Sequence, residues 1–352
     1  MKRIFSSSDS AEVGLLESTL AAAGIGLLRR AAALLPRAVP NARSLHARPI
    51  PRAGGYAIWL GFLPAALLFA PAFPGGVAGW LPPMLALVVV SGWDDAKELG
   101  VAARLSVHGL SALWVSASLV LPWSAAPGID LAHMLFAGAG IALAIAWSSN
   151  LYNFMDGTDG LAGTMGVIGF AAYAAAALTG PSADGAAARS ASAFLALCAA
   201  IVPFLAVNRP RATMFLGDVG AVPLGYLAAA FGAAGVLQHW WAAWFPLLVF
   251  LPFIADATLT LLRRAARRER LWEGHRAHYY QRLAQLGAGH RGTLAVYALL
   301  MAGTAFTAIV CRGASAAAAG WWALALSCVV VLMVFAAIDY HWRKKTGIPS
   351  PR

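Results

Sequence analysis

One polar segment of the chain reads Asn150-Leu151-Tyr152-Asn153-Phe154-Met155-Asp156-Gly157-Thr158-Asp159-Gly160-Leu161-Ala162-Gly163, and it separates two apolar runs at 131–147 and 161–178. Carboxylates at the edge of a membrane are costly unless a partner or a ligand uses them. Asp156 and Asp159 are three residues apart and would share one face of a helical turn, while the glycines let a ligand approach closely. The segment is typical of a site that holds a cation against a phosphate. A polar loop whose aspartates cap helices is the alternative.

The composition of the chain excludes an ordinary soluble domain. Of its 352 residues, 60% are hydrophobic and only 12% are charged, which is too apolar for a soluble protein of this length. We predict an all-α, polytopic integral membrane protein with about 10–11 transmembrane helices, each long enough to cross the hydrocarbon layer. The ten clear windows are 54–72, 76–92, 103–122, 131–149, 161–179, 190–207, 219–236, 239–262, 293–312 and 317–338.

An eleventh window, from Val13 to Leu28, is ambiguous because Glu12 and Glu17 lie at its start and its apolar part is short. It predicts either a shortened first span, with the natural start of the chain lying upstream, or a helix in the membrane interface. The sequence shows no cleavable signal, internal repeat or separate soluble domain. Residues 1–352 are therefore predicted to form a single membrane domain, with 263–292 as its longest polar loop.

The net charge of +11 indicates a membrane orientation and not a nucleic-acid partner, because the basic residues are unevenly placed. Threading alternate sides through the spans puts 22 of the 26 Lys and Arg residues on one face. By the positive-inside rule this face is cytoplasmic. The segments on it are 29–52, 94–104, 150–160, 208–218, 263–292 and the tail after 338. The three cysteines lie inside spans without metal-ligand spacing, which predicts core packing.

Further candidate residues lie in the other segments of this face. The loop at 40–55 carries Arg43 and Arg52, which fit either an anion site or contact with anionic lipid. The adjacent Asp94 and Asp95 end one span, where they repel each other unless a cation or a basic partner relieves them. They indicate a functional site more than a pair of solvated caps.

Three other positions add to the pattern. Arg104 begins the next span, where its guanidinium could meet a phosphate. His108, four residues further on, is more typical of a packed polar residue than of a ligand. Asp218 is bracketed by Gly217 and Gly220 at the mouth of a span, which fits a metal or phosphate site as well as it fits a helix N-cap.

The segment at 263–292 follows Asp256, a carboxylate inside a span, and begins with a run of arginines typical of a stop-transfer signal. A second cluster there contains His275, His278 and Arg282. Spacings of three and four residues predict that these three side chains share one helical face and present hydrogen-bond donors to whatever lies beneath.

Five carboxylates and a His/Arg cluster are thus predicted at the cytoplasmic ends of different spans. Such a site suits divalent-metal-assisted phosphoryl transfer, in which a cation and arginines neutralise two anionic reactants. Its position at the bilayer surface indicates that one reactant is a lipid. An ion- or proton-coupled transporter is the alternative, since intramembrane acids often mark ion paths. Most of these acids lie at one face, however, and not near the midplane.

Taken together, these motifs resemble the polyprenyl-phosphate N-acetylhexosamine-1-phosphate transferases of glycosyltransferase family 4. The matching residues run in family order from about 40 to 283. They are Pro40-Asn41, Arg43-Ser44, His46, Pro49, Pro51-Arg52, Gly54-Gly55, Asp94-Asp95, Leu99, Arg104, Asn150, Asn153-Phe154, Asp156-Gly157, Asp159-Gly160-Leu161-Ala162, Phe215, Gly217-Asp218, Gly220, Arg276, His278 and Arg282-Leu283. One of these motifs would be weak evidence, whereas the set is highly specific.

The resemblance implies transfer of a sugar 1-phosphate from a UDP-N-acetylhexosamine to undecaprenyl phosphate, with release of UMP, at the cytoplasmic face of a bacterial inner membrane. Asp218 and Asp156 would bind Mg²⁺, with Mn²⁺ as an alternative, and Asp94 or Asp95 would position or deprotonate the lipid phosphate. The implied catalytic residues are Asp94, Asp95, Asp156, Asp159 and His278. The implied substrate-binding residues are Asn153, Arg43, Arg52, Arg104, Asn150, Arg276, Arg282 and His275. The many apolar spans also allow contact with membrane lipids and a homodimer.

The chain departs from the family pattern in its last motif. Many members carry His-x-His-His there, whereas this chain reads His278-Tyr279-Tyr280-Gln281, and His275 stands where an acidic residue is common. This motif is more similar to the branch that begins O-antigen and other surface polysaccharides than to the peptidoglycan enzyme that takes UDP-MurNAc-pentapeptide. UDP-GlcNAc, its 6-deoxy relatives UDP-QuiNAc and UDP-FucNAc, and UDP-GalNAc would present the same diphosphate, so the sugar stays open.

Overall fold

The structure is a computed structural model of the chain. It describes residues 7–31, 35–38, 49–97, 99–125, 130–180, 183–270, 275–312 and 317–347. Arg43, one of the predicted substrate-binding residues, lies outside these ranges, and so does most of the loop that carries it.

Helices make up nearly all of the described chain, and they run in the order α1 to α13. Their bounds are α1 Ser7–Arg30, α2 Gly54–Phe69, α3 Gly76–Lys97, α4 Val101–Val120, α5 Leu131–Phe154, α6 Leu161–Thr179, α7 Gly185–Asn208, α8 Asp218–Leu237, α9 Trp244–Val249, α10 Leu251–Ala266, α11 Tyr279–Leu283, α12 Gly289–Arg312 and α13 Ala317–Thr346. The short strands β1 (Arg37–Ala38) and β2 (Ile50–Pro51) pair antiparallel beside the start of α2.

The prediction of an all-α, multi-pass membrane protein is confirmed. Each of the ten apolar windows is largely helical, and seven helical segments among the described residues, fewer than the 10–11 spans predicted, are long and apolar enough to cross a membrane. One window is not a single span: the helix expected over 239–262 is broken at Phe250, between α9 and α10. Pro252 lies at the start of α10, where it has no N–H to continue the hydrogen bonding of the preceding helix.

The ambiguous first window forms the helix α1, which packs against α2 and α7. The Ser18 hydroxyl donates to the carbonyl oxygen of Ala199 at 2.9 Å, and Arg29 lies beside Ala206 and Val207. Residue numbers increase together along both helices through these contacts. Helices α1 and α7 therefore lie side by side and run in the same direction. This packing resembles that of a bundle helix more than that of a helix lying across one end.

The centre of the bundle is α8, the most buried of the candidate spans. Its neighbours reach it through glycines: a Cβ on Gly55 would lie 2.4 Å from the backbone nitrogen of Gly220, and one on Gly225 would lie 2.2 Å from the carbonyl oxygen of Ser148. Small residues let helix backbones approach this closely in membranes. The indole N–H of Trp59 also donates to the Val219 carbonyl at 2.7 Å. This packing fixes the start of α8 against α2.

We predict that Gly55→Ala lowers stability by about 1–3 kcal/mol, because the added methyl group overpacks a contact between two backbones. The control is Gly109→Ala in α4, since a Cβ there would meet no atom within 4 Å. That variant should match or slightly exceed the wild type, because alanine favours helix over glycine. Thermal unfolding in detergent measures both, and equal melting temperatures would contradict the close approach.

Candidate active site

A cavity of about 780 Å³ opens at the end of the bundle where α3 and α5 end and α4 and α8 begin. We call this end the site end. The volume lies within the range of roughly 300–1,000 Å³ that is usual for small-molecule sites. Ten of the predicted residues line the cavity: Arg52, Asp94, Arg104, Asn150, Asn153, Asp156, Asp159, Asp218, His275 and His278. Asp95, Arg276 and Arg282 are not among its lining residues.

Asp218 is placed by the turn that leads into α8. Gly217 has a φ of +75°, and a Cβ there would lie 2.7 Å from a carboxylate oxygen of Asp95, so only glycine fits. The turn is fixed to the start of α2, because the N–H of Gly54 donates to the carbonyl oxygen of Phe215 at 2.9 Å. The Asn153 amide, at the end of α5, donates to Asp218 Oδ2 at 3.0 Å. Two distant helices therefore meet at this carboxylate.

The adjacent aspartates at the end of α3 have different partners. Asp94 accepts from Arg104 at 2.7 Å and from the N–H of Leu99 at 2.6 Å. The same Arg104 nitrogen lies 3.9 Å from Asp218 Oδ2, so one guanidinium serves two carboxylates. Asp95 accepts from the N–H of Val219 at 3.2 Å and lies 3.7 Å from Arg52.

These contacts give the two aspartates different surroundings. The side chain of Asp95 is only 2% exposed and lies behind the cavity against the start of α8, whereas Asp94 faces the cavity. One oxygen of Asp95 has no hydrogen-bond partner among the described residues.

Asp156 lies in the loop between α5 and α6. Burial raises the pKa of its carboxyl group well above the usual range, and the nearby charges of Asp218 and Asp95 raise it further. A cation placed among these carboxylates would oppose both effects. The loop is covered by Tyr280, whose hydroxyl donates to the carbonyl oxygen of Phe154 at 3.0 Å.

The prediction that Asp156 and Asp159 share a helical face is wrong, because residues 155–160 are not helical and Gly160 has a φ of +76°. Asp159 is 3% exposed at the edge of the cavity. Its Oδ2 accepts from the backbone N–H groups of Arg211 and Ala212 at 3.0 and 3.1 Å. Asp159 thus ties the loop after α5 to the segment after α7.

The helical face predicted for the last motif is also wrong, since α11 begins only at Tyr279 and His278 has extended backbone before it. The His275 and His278 rings nevertheless stack with centroids 4.8 Å apart, and both line the cavity. Phe154 also stacks on His278, with centroids 6.0 Å apart. Stacking in the loop replaces the helical spacing as the reason that the two rings meet.

Arg282 points away from the cavity. Its guanidinium donates to Asp339 Oδ1 of α13 at 2.7 Å, while Arg263 donates to Asp339 Oδ2 at the same distance. Arg282 also lies over the ring of Tyr279, 5.5 Å from its centroid. In this structure Arg282 joins α11 to α13 and does not face a substrate. Asp339 lies 57 residues further along the chain, and no short-range pattern marks the pair.

The sequence reasoning missed the role of Asp256 in α10, which is fully buried. It accepts from the backbone N–H groups of Tyr279 and Tyr280 at 2.9 and 3.0 Å and from the Tyr297 hydroxyl, and it lies 3.2 Å from His278 Nδ1. Asp256 therefore holds the start of α11 and orients the His278 ring. A carboxylate inside an apolar window was the available signal.

Asn208, at the end of α7, was also missed. Its side-chain oxygen accepts from the N–H of Gly160 at 2.9 Å, and its amide donates to the Met214 carbonyl oxygen at 2.8 Å. It is 4% exposed. Together with Asp159, it fixes the loop after α5 to the segment after α7.

In the described parts of the chain, no three His, Cys, Asp or Glu side chains are close enough to form a metal cage. The residues present still fit Mg²⁺, which takes oxygen donors and is usually held by one or two carboxylates together with substrate phosphates. Asp218 and Asp156 both line the cavity, and the charges of Asp218 and Asp95 add to burial in raising the pKa of Asp156. These two carboxylates are the candidates for a metal.

The fold and the cavity define a class: a multi-pass membrane protein that gathers carboxylates, arginines and histidines at one end of apolar helices. The sequence profile of glycosyl transferase family 4 matches residues 77–236, which include α4 to α7 and nearly all of α3 and α8. The resemblance predicted from the motifs is confirmed by this match.

Similar proteins carry names for one type of reaction. A Bacillus subtilis (strain 168) protein named probable undecaprenyl-phosphate N-acetylglucosaminyl 1-phosphate transferase is 25% identical over 85% of this chain and 82% of its own length. The decaprenyl-phosphate N-acetylglucosaminephosphotransferase of Mycobacterium tuberculosis (strain ATCC 25618 / H37Rv) is 28% identical over 84% and 81%. The protein of that name from Mycolicibacterium smegmatis (strain ATCC 700084 / mc(2)155) is 27% identical over 89% and 84%.

We predict that Asp256→Ala destabilises the protein by about 3 kcal/mol or more, because it leaves several buried donors without an acceptor. The control is Asp184→Ala, which removes an exposed N-cap of α7 and should cost about 1 kcal/mol. Thermal unfolding in detergent compares the two. Similar losses in both variants would contradict the structural role given to Asp256.

The stability of the site end should also depend on pH through His275. Burial, with the nearby His278 and Arg264, lowers the pKa of His275 from 6.5 to about 4. The unfolded chain binds a proton at His275 more readily than the folded protein does. The stability that depends on a neutral His275 is therefore fully present above about pH 6.5 and is lost as the pH falls toward 4.

His275→Gln should therefore flatten part of the fall in melting temperature between these pH values. Thr346→Gln, which changes an exposed position at the end of α13 that carries no titratable side chain, should keep the wild-type pH dependence. Parallel curves for His275→Gln and the wild type would show that burial does not disfavour the charged form of His275.

Proposed function

We propose that this protein transfers a sugar 1-phosphate from a UDP-N-acetylhexosamine to undecaprenyl phosphate and releases UMP. The observation that carries the proposal is the convergence of Asp94, Arg104, Asn153 and Asp218 in one cavity at the end of apolar helices. A site of this kind can hold two phosphate-bearing reactants while one of them keeps its hydrocarbon chain in the membrane. The names of the relatives support the same reaction.

In this reaction an oxygen of the acceptor phosphate attacks the sugar-proximal phosphorus of the donor. The bond from that phosphorus to the oxygen that bridges the two phosphates breaks, and the bridging oxygen leaves with UMP. Positioning and neutralisation of charge are the main demands on the protein in such transfers. Arg104 and Arg52 supply positive charge at the cavity, and Asn153 and Asn150 supply amide groups. His278, whose Nδ1 lies 3.2 Å from Asp256, places its ring in the cavity beside the loop that carries Asp156.

We propose Mg²⁺ as the cofactor, with Mn²⁺ as an alternative, held by Asp218 and Asp156. When bound, it supplies positive charge that offsets the charge of the donor diphosphate. The Asn153 amide and Arg104 keep the Asp218 carboxylate in place beforehand. A preorganised carboxylate of this kind costs little reorganisation during the reaction.

Of the two adjacent aspartates, Asp94 is the better placed to act on the acceptor, because it faces the cavity and Asp95 does not. A phosphate monoester is largely ionised at neutral pH, since its second pKa is about 6. The main demand on Asp94 is then to orient Arg104 toward the incoming phosphate, and removal of a proton is secondary. Asp95 secures the N-terminus of α8, and through it Asp218.

We further propose that the site end faces the cytoplasm of a bacterial inner membrane, because the basic residues concentrate there. O-antigen or a related surface polysaccharide is the proposed pathway, since the last motif lacks the second and third histidines common in the family. The proposed donors are UDP-GlcNAc and its 6-deoxy relatives. The transporter alternative has less support, because the cavity collects its carboxylates at one end of the helices.

The test is UMP release by the purified protein in detergent, with undecaprenyl phosphate, Mg²⁺ and a panel of UDP-N-acetylhexosamines. We expect UMP with one or a few donors and none after chelation of the metal. A folded protein that releases no UMP with any donor, yet carries an ion across vesicles, would overturn the proposal in favour of transport.

Two substitutions test the cavity itself. Asp218→Asn and Asp94→Asn should each reduce UMP release by at least about 100-fold, because preorganised charge at such a site is worth about 3–4 kcal/mol. Asp184→Asn, at the opposite end of α7, should keep wild-type activity. All three proteins should insert and elute like the wild type. Full activity in either cavity variant would remove that residue from the mechanism.

A further inference from the structure

A second cleft, of about 800 Å³, lies at the site end between α1, α7 and α12. It shares no lining residue with the cavity described above. Four arginines surround it: Arg29, Arg209, Arg211 and Arg291. They come from the last turn of α1, the segment after α7 and the first turn of α12. We call this set the arginine cleft.

The four side chains of the arginine cleft are exposed, and none forms a salt bridge with a carboxylate that the structure describes. Like charges held around one opening repel each other. The reactants of the proposed transfer do not explain the cleft, because none of its lining residues lines the cavity. An anion that spans the opening would relieve the repulsion.

The remaining lining of the cleft is largely apolar. Leu294, Ala295 and Ala298 continue along α12 from Arg291, which at 1.5 Å per residue places them about 5–10 Å further from the end of the helix. Ala206 and Val207 line the facing side on α7. The cleft is therefore cationic at its rim and apolar below, and a soluble anion would use only the rim.

We propose that the arginine cleft binds an anionic phospholipid, with the headgroup phosphate among the arginines and an acyl chain along α12. Basic pockets between membrane helices on the cytoplasmic side are suited to such headgroups. Arginine binds phosphate oxygens in a bidentate manner, and its fork is well suited to a lipid phosphate.

The position of the cleft connects it to the cavity. The backbone N–H of Arg211 donates to the Asp159 carboxylate at 3.0 Å. His290, next to Arg291, lies 3.6 Å from the same carboxylate. A lipid phosphate held by Arg211 and Arg291 would steady the two segments that hold Asp159 in place. The bound lipid is then a structural ligand of the site end, in addition to any substrate.

The experiment titrates the purified full chain with phosphatidylglycerol or with phosphatidylcholine of the same acyl chains and follows bound lipid by native mass spectrometry. It needs neither donor nor acceptor, so its result is independent of the proposed transfer. The test variant is Arg209→Gln with Arg291→Gln. The control variant is Arg267→Gln with Arg268→Gln, which removes equal charge from exposed positions just after α10.

We expect the wild type to bind phosphatidylglycerol more tightly than phosphatidylcholine, the cleft variant to bind it about tenfold more weakly, and the control to stay within twofold of the wild type. Equal weakening in both variants would overturn the proposal, because net charge alone would explain it. Equal binding of the two lipids by the wild type would also overturn it.

If the cleft variant does not fold, the melting temperature of the wild type is the test. It should rise with phosphatidylglycerol and not with phosphatidylcholine, and equal effects of the two lipids would refute the proposal.

Discussion

The structure of the site end depends on how several carboxylates are held close together in an environment of low dielectric constant. Asp94, Asp95, Asp156 and Asp218 lie close enough to influence one another, and each would be costly there without partners. Arg104, shared between Asp94 and Asp218, and Arg52, beside Asp95, supply the positive charge that makes the arrangement tolerable. The remaining imbalance of negative charge is what favours a cation and basic side chains around a phosphate-bearing ligand.

This cluster is possible only because α8 lies at the centre of the bundle. Glycine contacts with α2 and α5 bring those backbones against α8, so that side chains from α4 and α5 reach its first residue, Asp218. Bulkier residues at Gly55 or Gly225 would separate the helices by more than a hydrogen bond can span. The packing of an apolar core thus decides the geometry of a polar site at its end.

The other side of the cavity is built by the break between α9 and α10. The break lies in a buried run of aromatic side chains, and one turn further along α10 is Asp256. This carboxylate accepts hydrogen bonds from the first backbone N–H groups of α11. It therefore holds the start of α11 against the bundle and places His278 beside Phe154. One buried acceptor therefore converts a long polar loop into part of the cavity wall. Such a fully satisfied network is costly to disturb.

The sequence by itself determined the membrane class, the positions of the helices and the family that the chain resembles. The lengths of apolar segments, the placement of basic residues and the short motifs are local properties of the sequence. They do not depend on how the helices pack. Ten of the fourteen predicted site residues line the cavity for the same reason, since helix ends that alternate across a membrane bring every second polar segment to one face.

Only the tertiary structure decided which partner each polar group takes. Asp94 and Asp95 are neighbours in sequence, yet one faces the cavity and the other holds α8. Arg282 belongs to a motif but is bound to Asp339. Charged groups at a membrane boundary pair with whatever packing brings within about 4 Å, since the interaction falls with distance and rises as water is excluded. Contacts between residues far apart in the chain set those distances, and no local pattern encodes them.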